Sequence, residues 1–575
     1  LAKLEKLLDE ASRVENEYKE GISYKKQMGF LDKWAEYERM RSGDQWPRIT
    51  ERTKNLPRPV FNIIRRIENH KVASVMNENI KMVFSASEIT DEESPEYQAA
   101  DLFTRYADTT WELVKQQELN EEALESASNV GTGIWHYYYD TSKKGGNTLK
   151  YDGMICGEVI DPVNFFPGNP QNRNVQQQPY IIITYRDLVE NVRKQAKDNG
   201  VSNEIANMIK PDSEVTDQAY DMAQQELTTG NKVTVLTKYW KENGTVHFMK
   251  VASGIVVKPK TNTNMKLYPL AVMQWERRKQ SIFGIGDTEG LIPNQKAINF
   301  LMAMQLLSAQ QTGWPKLIID KTLVHQQITN TPGEVINVNS QTGSVGNAIQ
   351  YLTPPSMPSH VPNLVEAFLS YTKDSAGANE NALGEQNTSQ LNASAIMLLQ
   401  KAAGVPLESI KRRFYQAMED IGNIWAEMWK VYYNTDRMIT VKDDDGEEQS
   451  EIFNGSQHRD LEMRLKIDIG PSSSYSETLM MTSLDKLFDA GHITLDQYLM
   501  FVPKNVIPFK DRLLKSIEEQ REMAAIQQEQ QFEQLLAQLP PEEQQAFMMA
   551  SPEQQQLIKQ QILGQQTPQG QPMAM

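Results

Sequence analysis

The sequence predicts an α+β protein. Three observations carry that expectation: apolar residues that recur at helical spacing in several long segments, short β-branched and aromatic runs bounded by turn residues, and one stretch, Phe283 to Leu399, that combines both. That stretch reads as a helix, a compact β-rich insert, a second helix, a polar loop and the start of a very long helix.

The first helix of the stretch is expected from about Leu291 to Gln311. Ala297, Phe300, Leu301, Met304, Leu307 and Ser308 fall on one helical face, and Gly313, Trp314 and Pro315 stop it. The insert spans Pro315 to His360. Its strand-like runs are Lys316–Ile319 and Glu334–Val338, with Pro332-Gly333 as a turn signal between them. Thr353 to Pro358 leads into the second helix, Val361 to about Ser375. The insert therefore sits at the far end of a two-helix stalk.

Along the rest of the chain, Leu4, Leu7, Leu8, Ala11 and Val14 form an amphipathic N-terminal helix, continued after Gly21 through Trp34, Tyr37 and Met40. A polar turn at Ser42–Pro47 offers Trp46 as a buried anchor. Ile63, Ile67, His70 and Val75 mark a further helix, and Pro95 to Glu125 one longer helix. β structure follows at Ile134–Asp140, Gly157–Ile160 and Ile181–Tyr185. Asp187 to Leu227 reads as helical and polar. Val233–Trp240 and Val246–Val251 pair as a hairpin over Asn243-Gly244. Asn379 to Asn392 is rich in Asn, Gln, Ser and Gly. The helix after it, Ala393 to Tyr433, would span roughly 60 Å, with a kink near Gly404 from Pro406. Strands follow at Ile439–Val441 and Leu461–Ile469, around an Asp443–Gly446 turn. Thr494–Gln497 is a capping box. Beyond Gln520 the chain is glutamine-rich, with a helix start at Ser551-Pro552 and a disordered tail from Gln565.

Composition bounds the function. Hydrophobic residues make up 39% and charged residues 23% of 575, ordinary values for a globular protein large enough for several cores. No apolar run is long enough for a transmembrane helix, and the first residues lack a signal-peptide pattern. The chain begins at Leu1, which fits a trimmed start. The single cysteine, Cys156, excludes an internal disulfide framework and reads as a small buried residue. A net charge of −16 argues against gripping nucleic acid by the overall field. It suits either solubility or a surface past which a polyanion slides.

No catalytic motif stands out. There is no phosphate loop and no G-x-S-x-G elbow. Gly284 to Gly290 resembles a dinucleotide fingerprint but has the wrong last spacing, so a plain turn before the stalk helix is expected. The seven histidines are scattered without metal-ligand spacing, and Asp443–Asp445 reads as a solvated turn. No enzyme activity, cofactor or metal is expected.

Several stretches, taken in order over roughly residues 20–520, resemble the portal proteins of tailed double-stranded DNA bacteriophages. They are Gly43–Trp46 with Arg58–Asn62, Phe283–Gly290 leading into Asn294–Asn299, Pro332–Ile336 with Pro354-Pro355, and Leu484–Gln497 with its Gly491–Thr494 turn. The resemblance implies a ring, commonly of twelve subunits, at one capsid vertex, made in the bacterial host cytoplasm. It divides the chain into an α/β wing (1–282), stem helix 1 (283–314), a small α/β clip (315–360), stem helix 2 (361–378), a tunnel loop (379–392), a wing return with a long kinked helix and strands (393–471), a helical crown (472–564) and a disordered tail (565–575). Its implied partners are further copies of itself, double-stranded DNA, the terminase large subunit, a head–tail connector, the major capsid protein and a scaffold, with no membrane. DNA packaging and ejection would run through the channel. Asn379, Asn381, Gln386, Asn387, Gln390 and Asn392 of the tunnel loop, with Lys296, Asn299 and Gln310 of the stem, would face DNA. Uncharged amides suit a sliding contact. Lys316, Lys321, His325 and Gln326 of the clip would dock terminase and connector in turn. Twelve copies of a −16 chain carry about −190 together. The rival readings are another head–tail adaptor or scaffold-like virion protein, and a nucleotide-dependent DNA enzyme using the turn at Gly284.

Overall fold

The structure is a computed structural model. It describes residues 2–77, 80–86, 94–146, 148–212, 231–329, 335–339, 348–352, 360–377, 404–442, 448–469, 474–502, 507, 510, 513–517, 520 and 523. The chain divides into two units, Leu1–Val441 with Ser450–Ser472, and Lys442–Gln449 with Ser473–Met575. The fold is mixed helix and sheet, in agreement with the α+β expectation.

The first unit begins with α1 (Ala2–Gln27), whose Ala11 and Val14 are buried as the stripe requires. Gly21 does not end this helix. It lies against the Phe166 ring, where a Cβ would come within 2.8 Å of Cδ1. The turn comes instead at Gly29, whose φ of +67° is open to glycine at little cost. Then α2 (Phe30–Ser42) buries Phe30, Trp34, Tyr37 and Met40. Asn62 caps α3 (Ile63–Met76), its side chain accepting from Arg65 N at 3.1 Å. Strand β1 (Ile80–Ala86) precedes α4 (Pro95–Leu113) and α5 (Gln116–Val130). The single helix expected from Pro95 to Glu125 is thus two, broken at Lys115 with φ 56°. The break turns α5 so that its buried Gln116 accepts from Tyr137 Oη at 2.6 Å.

Strands β2 (Thr132–Gly145) and β3 (Tyr151–Val159) pair antiparallel, and β4 (Phe165–Pro167) and β5 (Tyr180–Leu188) follow. Of the polar helical span expected from Asp187, α6 (Val189–Asp198) and the short α7 (Asn203–Asn207) are helical, and 213–230 lies outside the described residues. Next come β6 (Lys232–Glu242), β7 (Thr245–Ala252), β8 (Ile255–Asn262) and β9 (Leu270–Gln274). The β6–β7 hairpin closes over Asn243 and Gly244 with φ of 52° and 78°, the two positive values of a type I′ turn.

One sheet has the order β4-β5-β6-β7-β8 and another β3-β2-β9. The five-stranded sheet is covered on both faces. Ala11, Val14 and Tyr18 of α1 pack with Ile182, Leu236, Met249 and Val251, while Val189, Val192 and Ala196 of α6 pack with Val233, Val235 and Val257.

The stalk follows as α8 (Asp287–Gly313), β10 (Lys316–Ile319), β11 (Ile349–Leu352) and α9 (His360–Ser375). Late α9 residues Phe368 and Leu369 pack in one cluster with early α8 residues Leu291 and Ile298, so the two helices run antiparallel. The partner of β10 is β11, not the expected Glu334–Val338 run, which has no strand among its described residues 335–338.

After a 3-10 turn at Val405–Leu407, α10 (Glu408–Tyr432) runs through the largest core. Phe414, Met418, Ile421, Trp425 and Trp429 lie there against Phe84, Phe103, Tyr106 and Phe453. Each such side chain contributes about 1.5–3 kcal/mol by its burial. The expected kink near Gly404 coincides with this 3-10 turn, and 393–403 lies outside the described residues. The last strands are β12 (Arg437–Lys442), β13 (Glu448–Phe453) and β14 (Met463–Ile469), which returns to pair with β1. In the second unit, α11 (Ser474–Asp489) and α12 (Leu495–Phe501) follow, and the capping box holds: Gln497 Oε1 accepts from Thr494 N at 3.1 Å. Cys156 is buried and forms no disulfide, its thiol donating to the Met154 carbonyl at 3.9 Å. Among the described residues no helix is long and apolar enough to cross a membrane.

Candidate assembly and channel surface

Helix α8 is anchored at its root by buried polar side chains. Asp287 pairs with Lys71 at 2.7 Å and accepts from Trp275 Nε1 at 2.9 Å. Thr288 donates to the Glu68 carboxylate and is within 2.9 Å of Asn129 Oδ1. Glu68, fully buried, also accepts from Arg41 Nε at 2.9 Å, and Arg41 reaches Glu125 at 3.1 Å. Burial pushes the Glu68 carboxyl up to about 7, although its hydrogen bonds from Thr288 and Arg41 pull the other way. These bonds fix the start of α8 to α2, α3 and α5.

The turn before α8 is a packing device. A Cβ on Gly284 would lie 2.2 Å from the Gly131 carbonyl oxygen, and one on Gly286 2.3 Å from that of Asn129. The glycines let two backbones meet, and the helix start beyond them is occupied by Asp287. The expectation of a plain turn rather than a nucleotide loop fits this packing.

Further along, α8 has two apolar faces. Leu291, Ile292, Ile298 and Ala303 are buried by the chain itself. The apolar stripe legible in the sequence, from Ala297 to Ser308, lies roughly opposite. Of it, Phe300 is 59% and Met304 44% exposed. From Met304 to Gly313 no residue is buried, and Trp314 beyond them is 80% exposed. The face legible from periodicity is therefore the less covered one.

Three stem residues were expected to face a channel. Lys296 is exposed and paired with Glu36 at 2.6 Å, and Gln310 is exposed. Asn299 is a correction. It is 2% exposed, donates to Gln45 Oε1 at 2.6 Å and accepts from Gln295 Nε2 at 3.0 Å. Its amide is an internal tie and has no surface to present. Gln295 completes that tie by donating to the Phe61 carbonyl at 2.7 Å and accepting from Ile63 N at 2.9 Å. Sequence reading missed Gln45, Gln295 and Glu68. The i, i+4 pair of amides on an otherwise apolar helix was the available signal. The tunnel-loop residues Asn379, Asn381, Gln386, Asn387, Gln390 and Asn392 lie outside the described residues.

The β module at the far end buries Val324 and Ala348. Asp320 Oδ1 turns the chain after β10 by accepting from Thr322 N at 2.8 Å. Lys316, Lys321, His325 and Gln326 are all exposed, and Gln326 Oε1 accepts from Asn337 N at 3.3 Å. Ile318, Tyr351 and Leu352 are 53%, 69% and 50% exposed on the β10–β11 ladder. Among the described residues no group of His, Cys, Asp and Glu could hold a metal ion. The Asp443–Asp445 run lies outside them.

No curated protein matches the chain. The model of the phage P22-like portal protein family matches residues 173–572, which takes in most of the five-stranded sheet, the stalk, its β module, α10 and the C-terminal segment. With well over half of its length matched, the chain belongs to the phage P22-like portal protein family.

Proposed function

We propose that the chain is the repeating subunit of a portal ring, probed below by its assembly, through which duplex DNA is packaged into the capsid and later ejected. The terminase large subunit and then a head–tail connector would dock on its outer end. One observation carries the reading beyond family membership: α8 is apolar on two opposite faces, and its own chain buries one while leaving Phe300 and Met304 of the other exposed. Such a helix calls for a neighbour on its bare side, and a cyclic ring supplies one to every copy. Twelve is the copy number the resemblance implies.

On this reading 1–282 and 393–471 form the wing, α8 and α9 the stem, 315–360 the clip, 379–392 the tunnel loop and 472–564 the crown. Lys296, Gln310 and the loop amides Asn379, Asn381, Gln386, Asn387, Gln390 and Asn392 face the DNA path. Lys316, Lys321, His325 and Gln326 meet the docking partners. Ring contacts of an obligate assembly bury on the order of 2,000 Å² or more at each junction, and the edges of the β10–β11 pair, unpaired among the described residues, suit strand addition between neighbours.

Electron micrographs of the purified chain test the ring: annular particles with a central hole are expected, and monomers alone at high concentration would defeat the reading. Deleting residues 381–390 should leave rings intact and impair packaging or retention of DNA. Packaging at the wild-type level would remove the loop from the DNA path.

A further inference from the structure

The segment from Trp46 to Arg66 inverts the charge of the chain around it. It carries Arg48, Arg52, Lys54, Arg58, Arg65 and Arg66 against Glu51 alone, in a chain of net charge −16. It also bares apolar side chains, with Ile49 68%, Phe61 48%, Leu56 44% and Val60 41% exposed. The loop is built, not slack. Trp46 Nε1 donates to the Pro59 carbonyl at 2.9 Å and Arg58 Nη1 to the Pro47 carbonyl at 2.7 Å, which closes its neck. Arg58 Nη2 adds a bond to Thr53 Oγ1 at 3.1 Å, and Lys54 is paired with Glu51 at 2.8 Å. Arg48, Arg52 and Arg65 are exposed. At its end the loop is tied to the stem root, where the Phe61 carbonyl accepts from Gln295 and its N–H approaches Asn299 Oδ1 at 3.5 Å.

We propose that this loop is an arm with which one copy of the chain grips an acidic face of the next copy. The inference rests on the ring reading above and names a contact within it. The backbone places the arm: Phe61 is bonded to Gln295 and Asn299 on the covered side of α8, so the loop's end lies beside the helix whose other apolar face leaves Phe300 and Met304 exposed. Charge selects the occupant. The loop with the first turn of α3 stands at +5, which leaves the remainder of each copy at −21, so any neighbouring copy offers carboxylates. Chemistry argues against DNA in this role. Phosphates are met by cations and polar donors, and Ile49, Leu56, Val60 and Phe61 would face a polyanion with nothing to pack on. A protein surface uses both parts, an apolar centre and an arginine-bearing rim. Because the neck is already closed, little ordering entropy opposes docking.

The test uses the full chain carrying Arg48→Glu and Arg52→Glu, beside wild type. Ring formation is followed by mass photometry against chain concentration at low and high salt, with duplex DNA binding measured in parallel. Wild type should form rings whose half-assembly concentration rises with salt. The variant should keep its circular dichroism and melting temperature, need about tenfold more chain to assemble, and lose the salt dependence. Assembly like wild type would overturn the proposal. Assembly like wild type with weaker DNA binding would overturn it in favour of DNA as the occupant. Wild type that forms no rings would instead defeat the ring reading. Should the double variant misfold, Ile49→Ser with Leu56→Ser gives a second reading: unchanged assembly by that folded variant overturns the arm, and weakened assembly supports it.

Discussion

Glu68 shows how one residue ties the stability of the body to pH. Its carboxyl rises on folding from an ordinary 4.5 to about 7, chiefly because it is buried. The folded chain therefore holds that proton to higher pH than the unfolded chain. The contribution to stability is complete below about pH 4.5 and is lost as pH rises through 7. Wild type should lose on the order of 2–3 kcal/mol from this group across that window, and Glu68→Gln should not. Urea denaturation at pH 5 and pH 8 measures the difference; an unchanged slope in the variant would place the effect elsewhere. Gly286 makes a second residue-scale case. A methyl there meets the Asn129 and Ser128 carbonyl oxygens, so Gly286→Ala should cost about 2–4 kcal/mol. The loss should show in the denaturation midpoint of a chain with no nucleotide present, which separates packing from any ligand role.

At the scale of the element, α8 carries the clearest division of labour. Phe300 and Met304 touch solvent in the single chain, so Phe300→Ser with Met304→Ser should leave the melting temperature of the unassembled chain within a degree or two, while abolishing rings in native mass spectra. Retained rings would show that the bare face is not an assembly surface. The element scale also shows what sequence could supply. The β6–β7 hairpin was legible because Asn243-Gly244 specifies its own turn. The stalk helices were legible to within a few residues because stop signals bound them. The buried face of α8 was not, since periodicity sees only apolar against polar. Gln295 and Asn299 are core residues solely because Gln45 and the Phe61 backbone satisfy them from far along the chain. Non-local pairing hid β1 and β11 in the same way: each strand is defined by a partner, β14 or β10, that local composition does not name.

For the whole molecule, charge is the property that matters most in number. A ring of twelve such chains would hold about −190. Affinity for duplex DNA comes from cations that displace counterions, so assembled rings should retain little DNA in filter binding at physiological salt, despite enclosing the path proposed for it. Tight, salt-steep retention would contradict a sliding surface. Replacing Lys316 and Lys321 with Glu should leave those rings intact and lower their affinity for terminase in a pull-down; unchanged capture would exclude the module's cations from docking. Much of the candidate site remained legible only as composition, because channel-facing positions depend on neighbours that one sequence does not specify.

Trp314 has a spectroscopic consequence. Of nine tryptophans it is the most open at 80% exposure, whereas Trp34, Trp135, Trp275, Trp425 and Trp429 are sealed in cores. It should therefore dominate the red edge of the emission of an isolated chain and be the indole most readily quenched by iodide. Because it sits where the stalk meets the β module, each subunit that joins a growing ring should shield one such lamp, shifting emission to the blue without any label attached.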